Sequence, residues 1–417
     1  MYVAAEIGLG LGLGYEESGS RAHFCSGGQL RYARRVTDSE KPLPPLPELR
    51  AQLDELDRQM LELLARRQEI VSGVARYKRA ENIEIRDSSR EQQLLAAKRA
   101  LAVKMGLDPE AIESIWRQIL IASRDYQATM NRQPGPEGPR RTVLIVGGGG
   151  AMGGVLCQLF QDLGHSVQSL ELDSKETAEE LVPSADVVVI SVPIASTEQV
   201  IRQIGPLVRP DALLMDVTSI KAAPLQAMLD STRASVVGAH PMFGPGAASL
   251  NGQRVVLCRG RGDAWHEWLA ASMRARGLVI TEADAEEHDR AMALVQVLTH
   301  FQTQVFGLAL ARMGIPLAAS RRFTSPAYLM ELYVAARHFA QAAELYGPIE
   351  MRNPATAEVT AQFQSAAREV AEILASSDQQ RFAAMFQEVR AFFGDFAREA
   401  TEESRFLIDR LVERSMS

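Results

Sequence analysis

The feature that most constrains this chain is a run of four glycines inside RRTVLIVGGGGAMGG, residues 140–154. The apolar stretch 143–146 reads as a buried parallel strand. A helical pattern (Val155, Leu156, Leu159, Phe160, Leu163) follows the glycines. Between strand and helix, Gly148, Gly150 and Gly153 satisfy G-x-G-x-x-G, with Met152 inside the fingerprint. The first glycine is expected to make a tight turn, the second to let backbone approach a pyrophosphate, and the third to let helix pack on strand. The phosphates would sit at the helix N-terminus, where free N–H groups and the helix dipole favour anions. A second strand is expected over 166–170, and Glu171 closes it, 18 residues after Gly153. A carboxylate there suits the 2′-hydroxyl of an adenosine ribose and repels a 2′-phosphate, so the expected cofactor is NAD rather than NADP.

Further strands are expected over 186–191 (DVVVIS) and 212–217 (ALLMDV), alternating with helical stretches. That alternation makes a doubly wound parallel sheet of α/β type. Ligands gather at the carboxyl ends of such strands. Three segments lie there: Ser191-Val-Pro193, Asp216-Val-Thr-Ser219-Ile-Lys221 and GAHPMFGP from Gly238. His240 is placed between a strand end and a Pro/Gly-rich loop, facing the cofactor crevice.

A length of 417 residues exceeds what one core serves, so two or three domains are expected. The net charge of −7 argues against nucleic-acid or anionic-membrane partners. No apolar run approaches the length of a membrane span. The three cysteines have no ligand-like spacing, which argues against a disulfide scaffold or zinc site and fits a reducing cytoplasm; no metal is expected. Residues 1–45 read as a flexible tail, residues 131–141 as a Pro/Gly linker, 142–283 as the dinucleotide domain and 284–417 as helices. Within the last region, helices are expected over 291–313, 327–345, 354–374 and 378–412.

Residues 46–130 form a helical module by pattern. Leu49, Leu53, Leu56, Met60, Leu63, Ile70 and Val74 recur at three- and four-residue steps, giving one long helix from 47 to about residue 79. Two more helices are expected over 88–104 and 109–126. Three helices led by one this long bury their apolar faces poorly and should dimerise. Arg67 and Lys78 lie about 20° apart around the first helix and share one stripe. Arg50 is about 25 Å along the axis from Arg67, too far to meet the same small ligand except from another subunit.

These residues resemble the all-helical chorismate mutases: Leu49-Arg50, LLARR at 63–67, Lys78, RDSSRE at 86–91, Ser123 and Gln127. The resemblance implies an active site lined by Arg50 of the partner chain with Arg67, Lys78, Asp87, Arg90, Glu91, Ser123 and Gln127. Chorismate rearranges to prephenate in a pericyclic step that needs a held conformer and stabilised charge on the breaking ether oxygen. By that resemblance Arg50, Arg67 and Ser123 hold carboxylates, Lys78 and Gln127 donate to the ether oxygen, and Glu91 binds the ring hydroxyl.

GAHPMFGP, with the D-x-x-S-x-K string before it, looks like prephenate dehydrogenase. The likeness continues through Glu287-His288-Asp289, Thr299-His300-Phe301 and ARHFAQ at 336–341. In this order the modules resemble the bifunctional chorismate mutase/prephenate dehydrogenases of tyrosine synthesis. The reaction implied is oxidative decarboxylation of prephenate to 4-hydroxyphenylpyruvate, with hydride passing from ring C4 to NAD+. By resemblance His240 deprotonates the C4 hydroxyl, Ser219 hydrogen-bonds the same centre, Arg337 binds the ring carboxylate and His300 lines the substrate pocket. Gly148, Gly150, Met152, Gly153, Glu171, Ser191 and Pro193 are the expected cofactor contacts. Feedback inhibition by tyrosine is also implied, although Thr299 and Leu329 stand where the family pattern carries arginines. Arogenate as substrate, a helical leader that only dimerises or senses, and a non-catalytic NAD-binding regulator are the competing readings.

Overall fold

The computed structural model describes residues 44–81, 87–130, 138–247 and 249–416. The expected tail falls almost wholly outside these, as do most of the expected linker and Arg86. The helical module is α1 (Leu46–Ala80), α2 (Ser88–Met105) and α3 (Pro109–Met130). Asp87 caps α2, its carboxylate accepting from the Arg90 N–H at 2.9 Å, and Gly106 ends it at φ +73°. The described residues divide into two compact units at Ala65/Arg66, inside α1. The physical reason lies in the apolar stripe: Leu53, Leu56, Met60 and Leu63 are each more than half exposed in the single chain. Residues 66–130 have a small core of Val71, Ala75, Leu95 and Ala102.

The dinucleotide region runs β1 (Thr142–Val146), α4 (Ala151–Asp162), β2 (Ser166–Leu170), α5 (Ala178–Leu181), β3 (Val187–Ile190), α6 (Ile194–Ile204), β4 (Leu213–Asp216), α7 (Ala222–Ser231), β5 (Ser235–Pro241), β6 (Arg254–Arg261), α8 (Asp263–Ala275) and β7 (Val279–Ala283). Strand order is β2-β1-β3-β4-β5-β6-β7. The first five strands are parallel, as expected, but β6 is antiparallel to β5, so the sheet is mixed. The sequence reading missed β6 and β7, the two strands that carry the departure. Central strands VLIV, VVVI and LLMD are buried on both faces, which is why they read as apolar runs rather than alternations. Leu156, Leu159 and Phe160 of α4 join Leu269 and Met273 of α8 on one face. Ile201 and Ile204 of α6 join Leu225 and Met228 of α7 on the other.

The remaining helices are α9 (Ala285–Met292), α10 (Thr299–Met313), α11 (Leu317–Arg321), α12 (Pro326–Phe339), α13 (Ala343–Met351), α14 (Thr356–Ser376), α15 (Gln379–Phe393) and α16 (Phe396–Met416). Three expected helices are interrupted. Between α9 and α10 the chain widens into a π-helical turn, Ala293–Leu298. Residues 340–342 separate α12 from α13, and Gly394, at φ +48°, separates α15 from α16. Among the described residues, no helix is long and apolar enough to cross a membrane.

The glycine run divides its labour in a way the fingerprint alone did not give. The positive φ falls at Gly147 (+84°), not Gly148, so Gly147 makes the turn. At Gly148 a Cβ would lie 2.4 Å from Ser169 Oγ, and at Gly153 one would lie 2.2 Å from the Gly147 carbonyl. Gly154 is open, with nothing within 4 Å. Gly153→Ala should therefore lower the melting temperature of the cofactor-free protein. Gly154→Ala, inside the same helix, should raise stability by up to about 1 kcal/mol through helix propensity. Thermal melts check the pair, and equal effects of both changes would contradict this packing.

Candidate active sites

At the switch point between β1 and β3, the chain leaves the sheet in opposite directions and opens a crevice. Gly150 caps α4 without any side-chain hydrogen bond, leaving first-turn N–H groups for an anion. Glu171 Oε1 accepts from the Gly149 N–H at 2.6 Å and from Ser169 Oγ at 2.5 Å. This holds the carboxylate against the glycine turn. Ser191 and Pro193 follow β3, with Ser191 half-buried and Pro193 exposed at the start of α6. The Met152 side chain is partly buried and packs against the core cluster beneath α4, in the first turn of that helix. A glycine turn with an uncapped helix and an anchored acid fits a dinucleotide.

His240 lies within β5 rather than beyond it, 3% exposed. Its Nδ1 is 2.8 Å from His288 Nε2, and His288 Nδ1 is 2.8 Å from Asp289 Oδ1. Asp289 also accepts from the backbone N–H groups of Lys221 (2.8 Å) and Ala222 (3.0 Å). Burial works to raise the Asp289 pKa, but the His288 contact and the Ala222 and Lys221 N–H groups outweigh it and lower the value. Asp289 is then a carboxylate and can only accept. The hydrogen bonds assign the tautomers: His288 donates from Nδ1 to Asp289 and accepts at Nε2 from His240 Nδ1. His240 Nε2 keeps its lone pair, facing the Gln296 carboxamide at 3.4 Å. Burial, with His288 and Lys221 nearby, pushes the His240 pKa well below its ordinary value, so the imidazole is neutral.

Beneath this group Lys221 and Asp216 form a fully buried ion pair, and Lys221 Nζ also donates to the Ala239 carbonyl at 2.8 Å. Thr218 adds its N–H, 3.0 Å from the Asp216 carboxylate. D-x-x-S-x-K is thus a structural staple for the strand that carries His240. Ser219, the residue expected to act, is half-buried in the loop between them.

Gln296, His300 and Gln304 follow at four-residue steps from the π turn into α10, forming a polar stripe. Gln296 meets His240, while Gln304 Nε2 reaches His338 Nε2 at 3.2 Å and Glu350 at 2.8 Å. His300 packs edge-on against Tyr346, and His338 stacks on the same ring. His300 Nδ1 lies 3.6 Å from Glu350, an ion-pair distance. Burial, with His338 beside it, nonetheless lowers His300 to about 4, and burial raises Glu350, so His300 is neutral near pH 7. Arg337, in the last turn of α12, is exposed. Of the two missing arginines, Leu329 is buried in apolar surroundings and Thr299 is exposed.

In the helical module, Arg67 donates to Ser123 Oγ, which donates to the Ile119 carbonyl at 2.5 Å. Gln127 is buried with no partner for its Oε1. A buried amide oxygen without a partner, one helical turn from paired Ser123 and Arg67, fits a polar ligand. Glu91 accepts both oxygens' worth of contact from Arg124 at 2.8 and 2.6 Å, a partner the sequence reading missed. Asp87 is occupied with capping α2, its pKa lowered by the Arg90 N–H, Ser89, Lys78 and Arg90. Lys78 is half-buried, and Arg90 and Arg50 are exposed.

Residues 49–128 match the chorismate mutase type II family. Residues 161–282 match the prephenate dehydrogenase nucleotide-binding domain, and residues 284–388 its dimerization domain. The T-protein of Enterobacter agglomerans is 37% identical over 364 residues, 87% of this chain and 97% of that one. The T-protein of Haemophilus influenzae is 35% identical, covering 88% and 97%. This chain belongs to the T-protein family. Its dehydrogenase part shares its fold with a crystal structure of A. aeolicus prephenate dehydrogenase in complex with hydroxyphenyl propionate and NAD+. The TM-score is 0.52 at 17% identity, covering 61% of this chain and 98% of that one.

Proposed function

We propose that this chain carries out two consecutive reactions of tyrosine synthesis, chorismate to prephenate and prephenate to 4-hydroxyphenylpyruvate. The observation that carries the second reaction is the unprotonated Nε2 of buried His240, near the carboxyl end of β5 in a dinucleotide-type sheet. NAD+, when bound, supplies the hydride acceptor. Gly148, Gly150 and the uncapped first turn of α4 would hold its pyrophosphate, Glu171 its ribose, and Ser191 and Pro193 the other wall of the crevice. His240 Nε2 takes the proton of the C4 hydroxyl as the carbonyl forms, and Ser219 hydrogen-bonds the same oxygen. Arg337 binds a substrate carboxylate. Neutral His300 lines the pocket from the polar stripe. With a mutase module on the same chain producing prephenate, prephenate rather than arogenate is the substrate.

The mutase needs no proton transfer. Arg67 and Ser123 hold one carboxylate, and Lys78 and Gln127 donate to the ether oxygen. Glu91, gripped by Arg124, receives the ring hydroxyl. Arg50 completes the site from a partner subunit, because a helix rise puts it about 25 Å from its own Arg67. The exposed Leu53, Leu56, Met60 and Leu63 stripe supports a homodimer built on α1. Among the described residues both cysteines, Cys157 and Cys258, are free thiols, which fits a cytoplasmic setting. Tyrosine would act as a feedback inhibitor at the dehydrogenase without the two arginines of the family pattern.

His240→Asn should cut dehydrogenase kcat by about 10²–10⁴-fold while leaving mutase activity intact. Because burial lowers the His240 pKa, the unaltered dehydrogenase should hold its activity on the acid side to well below pH 6.5. Parallel assays with chorismate and with prephenate plus NAD+ check both points, and an active His240→Asn dehydrogenase would contradict the assignment. For the shared site, mixing Arg50→Ala and Arg67→Ala chains should restore mutase activity at one of two sites. No recovery after demonstrated subunit exchange would contradict it.

A further inference from the structure

The mechanism so far uses His240 but leaves two buried titratable groups behind it unexplained. His288 is 2% exposed and Asp289 2% exposed, and both lie on α9, which packs on α7 and β6. A buried imidazolium at His240 would face Lys221 on one side, with no carboxylate in direct contact with it. Asp216 is committed to Lys221, and Asp289 reaches His240 only through His288. Gln296 on the π turn is neutral, and the Cys258 thiol on the adjoining β6 is pushed up to about 12 by burial.

We propose that His288 and Asp289 form a proton relay behind His240, so that the proton taken from substrate does not rest on the catalytic ring. The proposal builds on His240 as the base. As the substrate O–H breaks, an N–H bond forms at His240 Nε2, and the C4–H electron pair leaves as hydride to the cofactor. The His240 Nδ1–H then breaks as an N–H forms at His288 Nε2, across 2.8 Å. One proton has moved in at Nε2 and one out at Nδ1, so His240 ends neutral in its other tautomer. The positive charge ends on His288, 2.8 Å from the Asp289 carboxylate. There it is paired, whereas on His240 it would stand beside Lys221. The transfer to His288 runs along an existing hydrogen bond. When the ring carboxylate leaves as CO2, its bonding pair enters the ring and returns negative charge to the C4 oxygen, which takes the proton back along the same path. Product leaves as the phenol and the starting tautomers are restored.

Asp289 also caps α7 through the Lys221 and Ala222 N–H groups, so a loss of activity alone would not separate relay from scaffold. His288→Gln separates them, since its Oε1 can still accept from His240 Nδ1 but cannot carry the proton on. That variant should lose about 10- to 100-fold in dehydrogenase kcat, a part of the whole effect of the base, with KM for prephenate little changed. The proton inventory of the unaltered enzyme should be bowed, from two protons in flight, and that of His288→Gln straight. His240→Asn combined with His288→Gln should be no worse than His240→Asn alone. An unchanged kcat and bowed inventory in His288→Gln would overturn the relay while leaving the base intact. Retained activity in His240→Asn would instead overturn the base. Should His288→Gln fail to fold, shown by lost mutase activity, a straight inventory in the unaltered enzyme overturns the relay by itself.

Discussion

The Asp289 carboxylate is the contact on which the dehydrogenase half depends. It accepts from two backbone N–H groups at the start of α7 and from His288, while its own carbonyl accepts from Asn353 Nδ2 at 2.8 Å. Sheet, first helix of the C-terminal region and the α13–α14 connection all converge on one residue. Each buried donor left without it would cost about 1–3 kcal/mol. The same carboxylate sets the tautomer of His288, and through it that of His240. One set of hydrogen bonds therefore ties fold to site, and His240, the proposed base, is oriented only with the helical region seated.

A second buried contact works from below. Lys221 and Asp216 are both inaccessible, and replacing either alone would strand the other's charge. Their reward to the site is positional: Lys221 holds the Ala239 carbonyl, one residue from the base. It also adds positive charge that, with burial, keeps His240 neutral. The mutase site is organised on a different principle. There the paired groups, Arg67 with Ser123 and Arg124 with Glu91, are preset donors and acceptors on helices, as suits a reaction that needs positioning and charge rather than proton transfer.

Much of this was legible in the sequence because the signals are local. The strand–glycine–helix unit, the acid at the end of β2, the long periodic α1 and the glycine- and proline-flanked His240 each declare themselves within twenty or so residues. What was not legible depends on long-range contacts. Strand β6 follows β5 with no helix between them and runs antiparallel to it, and β7 is only half-buried, so the sheet was read as wholly parallel. The π turn has no sequence signature, yet it is what aims Gln296 at His240. His288 and Asp289 stood in view as a matched motif, but their partners lie 48 and 67 or 68 residues away. In the string around Ser219, the buried ion pair of Asp216 and Lys221 was not legible, because it shows only once the strands are packed.

One chain passes chorismate through both reactions. Purified protein given chorismate and NAD+ should form NADH and 4-hydroxyphenylpyruvate in equal amounts, after a lag while prephenate builds. Prephenate accumulating without NADH, or NADH forming from added prephenate but never from chorismate, would contradict it.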